Sequence, residues 1–199
     1  HKKIIVVGAD QMSAIVNYED RNTCILFGDG AGAVLLEPST TDVGLQDYIF
    51  KTDGSGTQYL SVPAGGSKFP ASQETLDQKK HFVHQDGKTV FKTAIKEMGQ
   101  VCLDIMERNE LAAADVQWLV PHQANLRIIN GVSHQLDFPM EKVKINIQRY
   151  GNTTAATIPL CLWDFKDDFK PGDNILLTAF GAGFTWGGTY LKWGTLRGK

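Results

Sequence analysis

Val116-Gln117-Trp118-Leu119-Val120-Pro121-His122-Gln123-Ala124-Asn125-Leu126-Arg127-Ile128-Ile129 is the stretch that decides the fold. The apolar run Val116 to Val120 stops at Pro121-His122. Ala124 to Leu136 then carries Leu126, Ile128, Ile129 and Val132 at helical spacing. That is strand, turn, helix. Downstream the unit repeats: Lys142 to Ile147 alternates as a strand, Gly151-Asn152 makes the turn, and Thr153 to Phe165 reads as a helix. Upstream, Val90, Ala94, Ile95, Met98, Val101, Cys102, Ile105 and Met106 mark one amphipathic helix of about six turns beginning near Asp86. Asn174 to Phe180 and Thr185 to Trp193 are β-rich runs around Gly181-Ala182-Gly183, so the chain closes on a hairpin. At the other end, Ile4 to Gly8 is a β-branched run suited to a strand buried on both faces. Cys24 to Phe27 and Ala33 to Leu36 read as two strands joined through Gly28-Asp29-Gly30-Ala31-Gly32, and Gly44 to Thr52 as another. Residues 53–80, rich in Gly, Ser, Pro, Gln and Lys without a period, read as a covering flap. This order implies a layered α/β domain with a mixed sheet.

Composition narrows the function classes. The 199 residues, 42% hydrophobic, suffice for a substantial core. A formal net charge of -2, with basic and acidic residues spread along the chain, supplies no field for nucleic acid or an anionic membrane. Cys24, Cys102 and Cys161 have no metal-ligand spacing and suggest no disulfide framework, which suits a reducing cytoplasm. His1-Lys2-Lys3 followed by Ile4-Ile5-Val6-Val7 is too short an apolar run for a signal peptide or membrane span and reads as a strand cut into at its start.

His122 and Asn152 are the candidates for chemistry, because each occupies a turn after a strand and before a helix, where α/β sheets bind ligands. A neutral imidazole N–H and a carboxamide NH₂ can both donate to one carbonyl oxygen that gains charge, an oxyanion hole for an enolate. Each also has a plain structural use: a satisfied buried histidine, and a helix N-cap after Gly151.

Four ordered blocks carry a family resemblance: Phe27-Gly28-Asp29-Gly30-Ala31-Gly32-Ala33, Pro121-His122-Gln123-Ala124-Asn125, Gly151-Asn152-Thr153-Thr154-Ala155-Ala156, and Phe180-Gly181-Ala182-Gly183-Phe184-Thr185-Trp186-Gly187. Together they resemble the type III ketoacyl synthases, the 3-oxoacyl-[acyl-carrier-protein] synthases III. The resemblance implies a thiolase-like fold with a five-stranded sheet in each half and a homodimer. Residues 1–40 would end the first half and residues 41–199 form the second. It also implies a Cys-His-Asn triad acting on acyl-CoA and malonyl-acyl carrier protein, without metal or other cofactor, to start fatty acid synthesis. His122 and Asn152 match the histidine and asparagine; the nucleophilic cysteine would precede this chain, and none of the three present fits.

By the same resemblance, Asn125 and Phe180 contact substrate, the backbone N–H of Ala182 completes the oxyanion hole for the acyl thioester, and Lys92 and Arg127 meet the acidic carrier protein. Alanine stands at 182 where glycine is frequent, which is compatible with a backbone donor if φ stays negative. His134 and Gln135 occupy the place of a further basic pair. Other readings are a synthase of secondary metabolism or a chalcone-synthase relative, and a catalytically incomplete domain. The glycines of residues 28–32 lead into a strand and not a helix, so they read as structural and not as a phosphate loop.

Overall fold

In the computed structural model, which describes residues 1–195, the chain opens with an antiparallel hairpin of β1 (Ile4–Asp10) and β2 (Gly30–Leu36). β3 (Gly44–Thr52) follows, then a 3₁₀ turn at Gly54–Tyr59 and the short strand β4 (Leu60–Ser61). A short helix α1 (Gln73–Asp77) separates β4 from its partner β5 (His84–Gln85). The order then runs α2 (Gly87–Arg108), β6 (Trp118–Pro121), α3 (Leu126–Gln135), the single turn α4 (Ile147–Tyr150), α5 (Thr157–Asp164), β7 (Asn174–Gly181) and β8 (Thr185–Lys192). The main sheet has the order β3-β8-β7-β6; only the β6–β7 pair is parallel, so the sheet is mixed.

Strand alternation supplies both faces of this sheet with apolar side chains. Leu119, Leu176 and Tyr190 point to one face, where they meet α2 and α3. Val120, Ile175 and Leu191 point to the other, where they meet Cys161 and Leu162 of α5. Helix α2 starts where the Asp86 carboxylate accepts the Thr89 backbone N–H at 2.8 Å, and it buries Val90, Ala94, Met98, Val101, Cys102, Ile105 and Met106. Burying a side chain such as Met98 or Ile105 contributes about 2–3 kcal/mol. At its other end Arg108 binds Asp47 of β3 through two nitrogens, at 2.7 and 2.5 Å, which fixes the helix on the sheet edge.

Three expectations need correction. Cys24 to Phe27 is not a strand: the Asp20 carboxylate accepts from the Asn22 N–H and the Thr23 hydroxyl, and Cys24 N–H bonds the Asp20 carbonyl, so the segment is coiled into turns and only Phe27 bridges to another chain segment, at Asn152. Lys142 to Ile147 is not a strand either, and among the described residues the sheet has four strands in place of five. Only Val143 bridges to Leu119, because the buried Gln123 carboxamide takes the backbone groups a ladder needs, donating to Lys144 O and accepting from Asn146 and Ile147 N–H. Finally, Ile4 to Val7 is not buried on both faces; β1 has one strand neighbour, and Ile5 and Val7 are more than 60% exposed.

The glycines of the hairpin set its distance from the segment ahead of α5. A Cβ at Gly28 would lie 2.2 Å from the Tyr150 carbonyl oxygen, and one at Gly8 would lie 2.2 Å from that of Ala155. Two backbones therefore approach where no side chain fits, and Gly28 N–H donates to Asn152 O while Asn152 N–H donates to Leu26 O. Gly28→Ala is expected to destabilise the protein by about 3 kcal/mol through forced backbone displacement. Gly54→Ala, with nothing near its added methyl, should change stability by less than about 0.5 kcal/mol. Denaturant midpoints of the two variants check this; equal midpoints would contradict it.

Candidate active site

His122 follows directly on β6, held by the parallel pairing of Pro121 with Thr178 and by its own N–H donating to Thr178 O at 2.8 Å. The imidazole is buried, and its Nδ1 lies 2.6 Å from the Thr157 hydroxyl at the start of α5. Burial, with no charged partner to offset it, pushes its pKa down from 6.5 to about 4. The ring is neutral at pH 7, so one nitrogen donates and the other accepts.

Asn152 stands between the positive-φ Gly151 and the 3₁₀ turn Thr154–Ala156. Its side-chain Oδ1 accepts the Thr154 N–H at 3.0 Å, so the carboxamide NH₂ is left to serve the cleft. Thr154 itself has φ +50°, a left-handed conformation costly for a threonine, next to the residue it orients. His122 and Asn152 line one cleft of about 1610 Å³ together with Asn125, Phe180, Ala182 and Arg127.

The remaining candidates sit around this pair. Asn125 caps α3, accepting the Arg127 N–H at 2.8 Å through Oδ1. Phe180 is buried at the end of β7, its ring 4.8 Å from that of Phe184. Ala182 lies in the β7–β8 turn and is not among the described non-glycine residues with positive φ. The exposed Arg127 lines the cleft and stacks over the Phe91 ring at 5.1 Å, whereas the exposed Lys92, the next residue along α2, is not among the cleft-lining residues. Segment 53–80 contributes Leu60, Ser61 and Val62 to the cleft wall. Its start is tied to the β7–β8 turn by Thr57 donating to Gly183 O at 2.9 Å.

The cysteines do not join this group. Burial raises the thiols of Cys102 and Cys161 to about 12, and none of the three lines the cleft. Thr157, Thr154 and Gln123 are the site residues that sequence reasoning did not single out. Their spacing to His122 and Asn152 holds no periodic signal, since each acts through a turn.

The family described as 3-oxoacyl-[acyl-carrier-protein (ACP)] synthase III C terminal matches residues 106–193, and that described as 3-oxoacyl-[acyl-carrier-protein (ACP)] synthase III matches residues 1–54. The chain belongs to the 3-oxoacyl-[acyl-carrier-protein] synthase III family. It is 57% identical over 194 residues to beta-ketoacyl-[acyl-carrier-protein] synthase III 2 of Bacteroides thetaiotaomicron, covering 98% of this chain and 58% of that protein. The crystal structure of 3-oxoacyl-(acyl carrier protein) synthase III from Pseudomonas aeruginosa superposes with a TM-score of 0.88 at 37% identity, covering 99% of this chain and 60% of that one. The Aquifex aeolicus structure gives 0.85 at 38% identity, covering 96% and 58%. The chain thus spans 58% to 60% of the length of these relatives and has a thiolase-like fold.

The depressed pKa of His122 has a measurable consequence. Between about 4 and 6.5 the unfolded chain binds a proton that the folded one does not, so stability is full above pH 6.5 and is lost as pH falls towards 4. Comparing denaturant unfolding of the wild type and His122→Gln at pH 7 and pH 4.5, the wild type should lose about 2–3 kcal/mol more than the variant. An equal loss in both would contradict the buried neutral imidazole.

Proposed function

We propose that this chain carries the decarboxylating half of a ketoacyl synthase III active site. The observation that supports it most is the holding of His122 by Thr157 and of Asn152 by Thr154 N–H in the lining of one cleft. A malonyl thioester seated with its carbonyl oxygen at these two groups loses CO₂ by breaking its carboxyl C–C bond. The bonding electrons pass to the enolate oxygen, which receives hydrogen bonds from the imidazole N–H and the carboxamide NH₂. The enolate carbon then attacks an acyl thioester on cysteine, forming the new C–C bond as the C–S bond breaks and thiolate leaves.

The cysteine comes from the part of the family's length that this chain does not span. Ala182 N–H serves the acyl thioester oxygen, and Asn125 and Phe180 line the path of the pantetheine arm. Arg127 and Lys92 receive the acidic carrier protein at the rim. Decarboxylation generates the carbanion without a metal or flavin, so CoA and carrier protein enter only as thioester substrates. The full enzyme acts as a cytoplasmic homodimer that starts fatty acid synthesis from an acyl-CoA primer.

The test uses a chimera in which this chain is joined to the portion of the Bacteroides thetaiotaomicron relative that it does not span. His122→Ala and Asn152→Ala are each expected to slow CO₂ release from malonyl-acyl carrier protein by on the order of 10²–10³-fold. Labelled acyl-enzyme formation should persist in both. Intact CO₂ release with lost acylation would overturn the assignment.

A further inference from the structure

We propose that Thr157 is a positioning residue that fixes the proton of His122 on Nε2, the nitrogen that must donate to the enolate. The inference rests on the decarboxylation reading above for its function, though not for its geometry. Thr157 is buried beside the ring, and its hydroxyl has one proton and two neighbours, His122 Nδ1 at 2.6 Å and the Thr154 carbonyl at 3.0 Å.

The Thr157 hydroxyl oxygen lies closer to Nδ1, at 2.6 Å, than to the Thr154 carbonyl, at 3.0 Å, and O–H donors make the shorter hydrogen bonds. The Thr154 carbonyl keeps the backbone N–H of Thr157 as a donor whichever way the hydroxyl points, so turning the O–H to the ring leaves no orphaned acceptor. Nδ1 is the stronger acceptor for the hydroxyl, so the O–H points to the ring. With Nδ1 accepting, the neutral imidazole carries its hydrogen on Nε2. The opposite tautomer would place a bare lone pair against the developing negative oxygen. Thr154 links the two donors: its N–H turns the Asn152 carboxamide, and its carbonyl takes the N–H of the residue that turns the imidazole.

Nitrogen-15 NMR of the histidine rings in the 199-residue chain tests this, with His122 assigned by the loss of its signals in His122→Gln. Wild type and Thr157→Ser should both show a protonated Nε2 and a bare Nδ1, and the isosteric Thr157→Val should lose that single tautomer. In the chimera, CO₂ release should fall by on the order of tenfold or more in Thr157→Val, recover in Thr157→Ser, and leave acyl transfer intact. A proton on Nδ1 in the wild type, or an unchanged Nε2–H tautomer in Thr157→Val, would overturn the inference. Should Thr157→Val fail to fold, the wild-type spectrum decides alone. Unimpaired CO₂ release in His122→Ala would instead sink the enolate role and leave the tautomer to be judged by the spectra.

Discussion

Everything at this site depends on how closely the backbone of the first hairpin approaches the segment carrying Asn152. Gly8 and Gly28 remove the side chains that would hold the two apart, and the reciprocal bonds of Asn152 with Leu26 and Gly28 then lock the turn in place. In the turn so held, Thr154 N–H reaches the Asn152 carboxamide, and α5 begins just beyond it, where Thr157 meets His122. A hydrogen-bond network of neutral groups buried in low dielectric is stiff when fully satisfied and costly when broken. The glycine contact is thus a constraint on the chemistry as well as on packing.

On the proposed reading, the His122–Asn152 pair stabilises a negative oxygen without carrying charge itself. An imidazolium beside the enolate would attract it more strongly, but burying that cation without a counter-ion carries a desolvation cost, which is why the ring remains neutral down to about pH 4. Two neutral donors fixed before the reaction need no reorganisation when the negative oxygen appears. A carboxylate in the place of the Thr157 hydroxyl would raise the imidazole pKa and charge the ring. The hydroxyl adds no charge there.

Much of this could be read from the residues. The helical period between Val90 and Met106, the strand ending at Pro121, and the closing hairpin are strong local patterns, and α2, β6, β7 and β8 follow them. The turn position of His122 was legible because strand-to-helix turns line clefts, whereas Asn152 follows the single turn α4 and not a strand, so its place was legible only through the family resemblance. The apolar run Cys24 to Phe27 misleads, since Asp20 and Thr23 upstream impose turn chemistry that outweighs it. Lys142 to Ile147 alternates like a strand, yet a side chain from the distant Gln123 satisfies its backbone, a tertiary effect without a local signature. Thr157 escaped notice for the same reason: a threonine in a helical stretch becomes informative only when the ring it touches is known.

The most direct measurement is a double-mutant cycle on CO₂ release from malonyl-acyl carrier protein in the chimera, with His122→Ala, Asn152→Ala and the pair together. Donors that share one enolate oxygen should be strongly coupled, so that the double variant is barely slower than the worse single one. Rate losses that multiply independently would show that the two side chains serve different atoms, and would contradict the shared oxyanion site.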